Sequence, residues 1–107
     1  MTYRYTTPAI LRAELEGVLR RAGFAHPVCS KVRYGTADDD RPVLKTSVFE
    51  YSSVRMPLEA LEGYERVLSG LPGVIATHIV HEDKGTLRDQ VQVTHLRMRD
   101  EPEETGR

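Results

Sequence analysis

Two segments of the chain carry apolar side chains at helical spacing. In residues 8–22 the apolar positions recur every three or four residues, as on one face of an α-helix; they are Leu11, Leu15, Val18, Leu19 and Ala22. Thr7-Pro8 supplies an N-cap and a proline in the first turn, and Gly23 supplies a stop. The pattern therefore predicts a first helix over residues 8–22.

The second helical segment opens at Pro57. Its apolar stripe consists of Leu58, Leu61, Tyr64, Leu68 and Leu71. Ser69-Gly70 and Pro72-Gly73 follow the stripe and predict the end of the helix.

Four other segments favour β-strands, because they alternate apolar and polar residues or are rich in β-branched and aromatic ones. The longest is 41–56, which has no glycine and whose pattern weakens past Glu50, as at a bulge. The predicted strands are one (28–34), two (41–56), three (74–80) and four (87–98). Polar loops are expected at 35–41 and 82–86, and the opening residues 1–6 fit a short edge strand or an ordered arm.

The predicted element order is αββαββ, and its halves echo one another. Leu15-Glu16-Gly17 and Leu61-Glu62-Gly63 are separated by the same spacing as Val28 and Val74. We expect an α+β two-layer sandwich: a four-stranded antiparallel sheet in the order 1-2-4-3 with both helices on one face. This layout resembles a circular permutation of the ferredoxin-like fold. Residues 1–99 are predicted to form one duplicated αββ domain, and 100–107 a disordered acidic tail.

Net charge, cysteine content and the length of apolar runs argue against several classes of function. The chain has 107 residues and a formal net charge of -1, which argues against strong non-specific binding to nucleic acid or membranes. Its single cysteine, Cys29, excludes an intrachain disulfide. No apolar run approaches the roughly 20 residues of a membrane span, so a cytoplasmic protein is expected.

Helices on one side of the sheet leave the other side open, and an open face must be polar, bind a partner or pair with a second copy. The predicted interaction face is Lys31, Arg33, Lys45, Ser47, Phe49 and Tyr51. Leu44, Thr46 and Val48 are expected to face the core, whereas strands three and four permit either register. The leading hypothesis is a small non-catalytic interaction or accessory protein that forms a homodimer or binds a protein partner through this face.

Two alternatives belong to other classes. Phe49 and Tyr51 beside basic side chains are typical of single-stranded RNA or DNA binders, although the Gly-aromatic-Gly signature of RNA-recognition domains is absent. A small-molecule enzyme with a pocket near His78 and His95 is the third hypothesis.

No cofactor or metal site is predicted. The chain contains no phosphate loop, dinucleotide fingerprint, nucleophile elbow or zinc-protease helix. His78 and His81 would point to opposite faces of a strand. Asp38, Asp39 and Asp40 are consecutive, whereas calcium loops alternate their carboxylates. Cys29 is interpreted as a packing residue.

Overall fold

The computed structural model describes residues 2–81 and 87–101, and the side chains of 5–81 and 87–97. Within these ranges the two helices are α1 (Pro8–Arg21) and α2 (Leu58–Ser69). The strands are β1 (Thr2–Tyr5), β2 (Pro27–Cys29), β3 (Arg33–Thr36), β4 (Pro42–Glu50), β5 (Val74–Val80), β6 (Gln90–Leu96) and β7 (Met98–Glu101). The fold is α+β, as predicted.

An antiparallel sheet of five strands forms the body of the molecule. Its hydrogen-bonded order is β2-β4-β6-β5, and β3 pairs with the other half of β4 beside β2. β1 and β7 form a separate two-stranded ribbon. The two central strands, β4 and β6, pair in unbroken register from Val43 opposite Leu96 to Val48 opposite Val91.

Predicted strand one is divided into β2 and β3, so the sheet has five strands rather than four. At the break, the Ser30 amide still donates to the Ser47 carbonyl at 2.8 Å, but hydroxyl groups make the other bonds: Thr46 Oγ1 donates to the Ser30 carbonyl at 3.0 Å, and the Ser47 amide donates to Ser30 Oγ at 3.1 Å. Val32 is buried in the core beyond the break. The edge strand therefore turns at 30–32 instead of running straight.

Several predicted boundaries differ from the structure, among them the end of strand four, which lies at Leu96 because Met98 begins β7. Predicted strand two ends at Glu50 rather than at residue 56, and strand four begins at Gln90 rather than at residue 87. Buried Asp89 accounts for both differences, because its amide donates to the Val54 carbonyl and its carboxylate accepts from the Met56 amide. The predicted tail from Asp100 is also corrected in part, since β7 continues to Glu101. The rest of that tail and the predicted loop at 82–86 lie outside the described residues.

Both helices begin where the residues predict. Thr7 caps α1 and accepts a hydrogen bond from the Ile10 amide at 3.2 Å, with Pro8 in the first turn. Pro57 holds the capping position of α2 in an extended conformation. Among the described helices, none is long and apolar enough to cross a bilayer.

The core lies between the helices and one face of the sheet, called here the helix face. Leu11, Leu15 and Leu19 of α1 pack with Leu61, Tyr64 and Leu68 of α2. The sheet contributes Cys29, Leu44, Val48, Val91 and Val93 to the same cluster. The prediction that Leu44, Thr46 and Val48 face the core is confirmed. The alternation in strands three and four permitted either register, and in the structure Val91 and Val93 of strand four face the helices.

The predicted echo between the two halves has a counterpart in one pair of helix residues but none in the strands. Leu15 and Leu61 are both fully buried. However, Val28 lies opposite Phe49, whereas Val74 lies opposite His95, which in turn faces Leu44. Because directly paired residues share a face and neighbours along β4 alternate, the two valines lie on opposite faces.

The matching glycines also have different surroundings. A Cβ on Gly63 would lie 3.1 Å from the Phe24 ring, whereas one on Gly17 would meet the Arg21 guanidinium of its own helix at 3.2 Å. No single close approach therefore explains both glycines.

Candidate binding face

The face of the sheet opposite the helices, called here the open face, contains a shallow groove of about 500 Å³. Strand register builds its floor: Lys45 lies between Arg33 and Thr94, and Ser47 lies opposite Gln92. The groove is lined by Ser30, Lys31, Arg33, Lys45, Thr46, Ser47, Gln90, Gln92, Val93 and Thr94. It therefore combines three cations with hydroxyl and amide groups, and no described carboxylate lines it.

Two of these cations occupy an unfavourable arrangement. Arg33 and Lys45 lie directly opposite each other on neighbouring strands, where like charges are destabilising. Lys31 belongs to the same groove. Within the described part of the chain, none of the three makes an ion pair.

Three other cations of the protein have ion-pair or hydrogen-bond partners. Arg41 Nε lies 2.7 Å from the Asp39 carboxylate, and Arg55 pairs with Asp89 at 3.0 Å. Arg88 donates to the carbonyls of Glu50 and Ser53. Exposed Arg21 and Arg66 on the helices also make no described ion pair, so the groove is distinguished by the clustering of three such cations on one surface, which raises the local positive potential.

Gly35 helps to place the Lys45 side chain. A Cβ at position 35 would lie 3.3 Å from Lys45 Cε and 3.5 Å from its Cδ, so the lysine stem crosses the bare glycine of β3. The ammonium group is thereby kept beside the groove and not extended away from the sheet.

The two predicted aromatic contacts do not line the groove. Phe49 is half-buried, and the Arg88 guanidinium lies 4.4 Å from its ring centroid. Tyr51 lies beyond the end of β4, where its amide donates to the His26 carbonyl and its side chain is 65% exposed. The structure brings together four of the six predicted face residues, namely Lys31, Arg33, Lys45 and Ser47.

The predicted pocket between His78 and His95 is not formed. His78 lies opposite Gln92 on the open face and is exposed. His95 lies opposite Leu44 on the helix face and is 1% exposed. The sheet separates the two rings, so they cannot act on one substrate.

His95 itself is an unusual core residue. Its Nδ1 lies 2.6 Å from the Leu96 carbonyl oxygen. Its Nε2 has no hydrogen-bond partner among the described residues, and the nearest charged group is the Glu14 carboxylate at 3.9 Å. The ring packs against Gly73, where a Cβ would lie 2.6 Å from it.

A buried polar cluster was not predicted. Asp89 is fully buried and contacts Arg55 at 3.0 Å and His81 Nδ1 at 3.3 Å. These contacts join the segment before α2 to the start of β6. Arg55 and Asp89 are far apart along the chain, so local spacing contains no signal for their contact.

The other side chains considered for catalysis or metal binding have contacts that are typical of packing and loop structure. Burial raises the pKa of the Cys29 thiol, against the opposing effect of a 3.1 Å contact with Thr46 Oγ1. A hydrogen bond from Arg41 lowers the pKa of Asp39. Among the described residues, no three His, Cys, Asp or Glu side chains are grouped closely enough to hold a metal ion.

A second shallow groove, of about 430 Å³, adjoins the first. Both grooves contain Lys45 and Thr94. The second lies between the loop after β3 and the start of β5, and its other lining residues are Thr36, Ala37, Asp38, Asp39, Arg41, Ile75 and Ala76.

Comparison with known proteins gives no relative. No protein-family model, curated protein sequence or solved structure matches the chain.

Proposed function

We propose that this protein is a non-catalytic binding module whose open face holds an acidic segment of a protein partner. The observation that carries the proposal is the cross-strand pair of Arg33 and Lys45, joined by Lys31 in a groove without a described carboxylate. Local conflicts of this kind are expected at functional sites. A carboxylate-bearing partner would relieve the repulsion and pair with each cation.

A second copy of the chain is a poorer occupant of this groove than an acidic partner. A face-to-face homodimer whose two-fold axis passes through the groove would bring the three cations of one copy against those of the other, which costs free energy. The groove is also polar, whereas the fully buried centre of a stable dimer interface is depleted of charge.

Nucleic acid is also less well suited. Single-stranded binders stack bases on exposed aromatic rings, but the Phe49 ring is covered by Arg88 and Tyr51 lies past the strand.

The enzyme hypothesis is also less well supported, because it depends on a pocket between His78 and His95, and these residues are on opposite faces of the sheet.

We also propose a permuted ferredoxin-like layout and an internal duplication for this fold. The order β2-β4-β6-β5 and the position of both helices on one face support a permuted ferredoxin-like layout. A duplicated αββ unit is supported by the equivalent buried leucines of the helices, provided that one half has gained or lost a residue before its strands.

A binding titration tests the proposed function. The probe is a fluorescein-labelled peptide of eight glutamates, followed by fluorescence anisotropy at about 50 mM and about 200 mM salt. We expect saturable binding that weakens at the higher salt, because exposed charges are screened over about 8–10 Å. The test variant is Lys31→Ser/Arg33→Thr/Lys45→Thr, which should bind at least about tenfold more weakly.

The matched control removes three positive charges from the helices, in the variant Arg20→Gln/Arg21→Gln/Arg66→Gln. All three are exposed, and we expect this variant to bind the peptide nearly as the native protein does. Equal loss in both variants would show a net-charge effect and contradict the proposal. Tighter binding of a ten-nucleotide oligothymidylate than of the peptide would favour nucleic acid instead.

A further inference from the structure

The two grooves of the open face adjoin, and together they are called here the channel. They meet at Lys45 and Thr94, which line both. The first reaches the break between β2 and β3 at Lys31, and the second reaches β5 at Ile75 and Ala76. The second groove also borders the loop between β3 and β4 at Asp38, Asp39 and Arg41, so the acidic residues of this loop lie on the same side of the sheet as Arg33 and not at the β5 edge.

The charge of the channel changes along its length. At the end near the break it carries the three cations of the first groove. In the loop between β3 and β4, Arg41 pairs with Asp39 at 2.7 Å, which leaves the exposed carboxylate of Asp38 without an ion-pair partner in the described part of the chain. The channel thus carries three cations beside the break and one uncompensated carboxylate at this loop.

The separation of the positive and negative groups limits how much chain lies between them. Asp38 follows Arg33 by five residues along the β3–β4 hairpin, which is at most about 17 Å of extended chain. At most about five residues of an extended segment therefore span the distance between these two charges.

We infer that the occupant is an extended peptide segment of mixed charge, with acidic residues over Lys31, Arg33 and Lys45 and a basic residue beside Asp38. The inference rests on the proposed function and specifies its partner. A nucleic-acid strand carries a phosphate at every nucleotide, so it would place negative charge beside Asp38 as well. A peptide with separated charges is complementary both to the three cations and to this carboxylate.

Two labelled peptides of identical composition test the inference. In the block peptide, four glutamates at one end are separated from two lysines at the other by a glycine-serine spacer. In the mixed peptide the same residues alternate. Since net charge is equal, we expect the block peptide to bind the native protein about threefold to fivefold more tightly, the gain typical of a well-placed exposed charge pair.

The variant Asp38→Asn should abolish this preference, because it removes only the uncompensated carboxylate of the channel. Asp40→Asn is the matched control: Asp40 is exposed in the same loop but does not line the channel, and its positive φ of 68° is tolerated by asparagine. The control should retain the preference.

Each outcome has a distinct meaning. Equal binding of the two peptides, or an unchanged preference in Asp38→Asn, overturns the inference and leaves the proposed acidic partner in place. If neither peptide nor the octaglutamate binds at about 50 mM salt, the proposed function fails and the inference fails with it.

Discussion

Gly73 shows how one residue controls the position of a buried ring. Its φ is +95°, and a Cβ there would lie 2.6 Å from Cε1 and Nε2 of His95. Only glycine suits both the backbone conformation and the contact. The turn after α2 and the imidazole on β6 therefore depend on each other.

We predict that Gly73→Ala lowers the free energy of unfolding by about 2–4 kcal/mol, from backbone strain plus overpacking. Gly23→Ala is the matched control, because Gly23 has a similar φ of +107° and a Cβ there would meet nothing beyond its chain neighbours within 4 Å. Urea denaturation of both variants isolates the ring contact as the difference, about 1–3 kcal/mol. Equal losses in the two variants would argue against the packing of His95 on Gly73.

The Cys29 thiol offers a second test at this scale. Burial raises its pKa, so little thiolate is present near neutral pH, and the thiolate is the reactive form. We predict that native protein reacts with a disulfide reagent at about pH 8 much more slowly than protein in about 8 M urea does. A native rate equal to that of free cysteine would contradict the burial of the thiol.

Among the secondary-structure elements, the pairing of β3 with β4 bears on both the stability of the fold and the proposed binding. Thr–Thr and similar polar pairs are favourable across strands, whereas like charges are not. We predict that Arg33→Thr raises the free energy of unfolding by about 0.2–1 kcal/mol while weakening octaglutamate binding. Lys31→Thr, outside the paired part of β3, should leave stability nearly unchanged, and urea midpoints measure both.

A loss of stability in Arg33→Thr would mean that the arginine makes a favourable contact in the native state. The uncompensated charge would then no longer mark a binding site. A gain accompanied by undiminished peptide binding would separate the cation pair from the proposed partner.

The elements differ in how far the residues alone could predict them. The helices follow from local periodicity, and their caps at Thr7 and Pro57 lie in the sequence itself. The division of the edge strand depends on contacts between Ser30 and Thr46, which are distant in the chain. Similarly, the face of β4 that carries Lys45 can be predicted from alternation, but the direct opposition of Arg33 and Lys45 depends on the loop between their strands.

On the scale of the whole molecule, Tyr64 connects α2 to the end of β4. Its hydroxyl donates to the Glu50 carboxylate at 3.0 Å. Burial, and then the contact with Glu50, raises the pKa of Tyr64 above its ordinary value. The folded protein therefore holds this proton at pH values where the unfolded chain releases it.

The sign of the pH dependence follows from that difference. Below about pH 10, the ordinary pKa of tyrosine, both states are protonated and the contribution of Tyr64 is constant. Above it the unfolded state binds fewer protons, so the free energy of unfolding falls with rising pH, by at most about 1.4 kcal/mol per unit for this group. Tyr64→Phe should show a shallower decline in urea titrations between about pH 9 and 11.

Both the native protein and the Tyr64→Phe variant retain Cys29, so the contribution of its raised pKa, which has the same sign, cancels in the difference. A Tyr64→Phe variant with an unchanged alkaline slope would contradict the assignment of the decline to this hydroxyl.

The break at 30–32 has a consequence for how molecules meet in concentrated solution. It interrupts the hydrogen-bonding edge formed by β2 and β3, and a bulge between Val74 and Ala76 interrupts the edge at β5. Fibrils grow when long, flat strand edges add further strands. Because both outer edges of this sheet are irregular, we expect the same turn that shapes the open face to disfavour self-propagating aggregation.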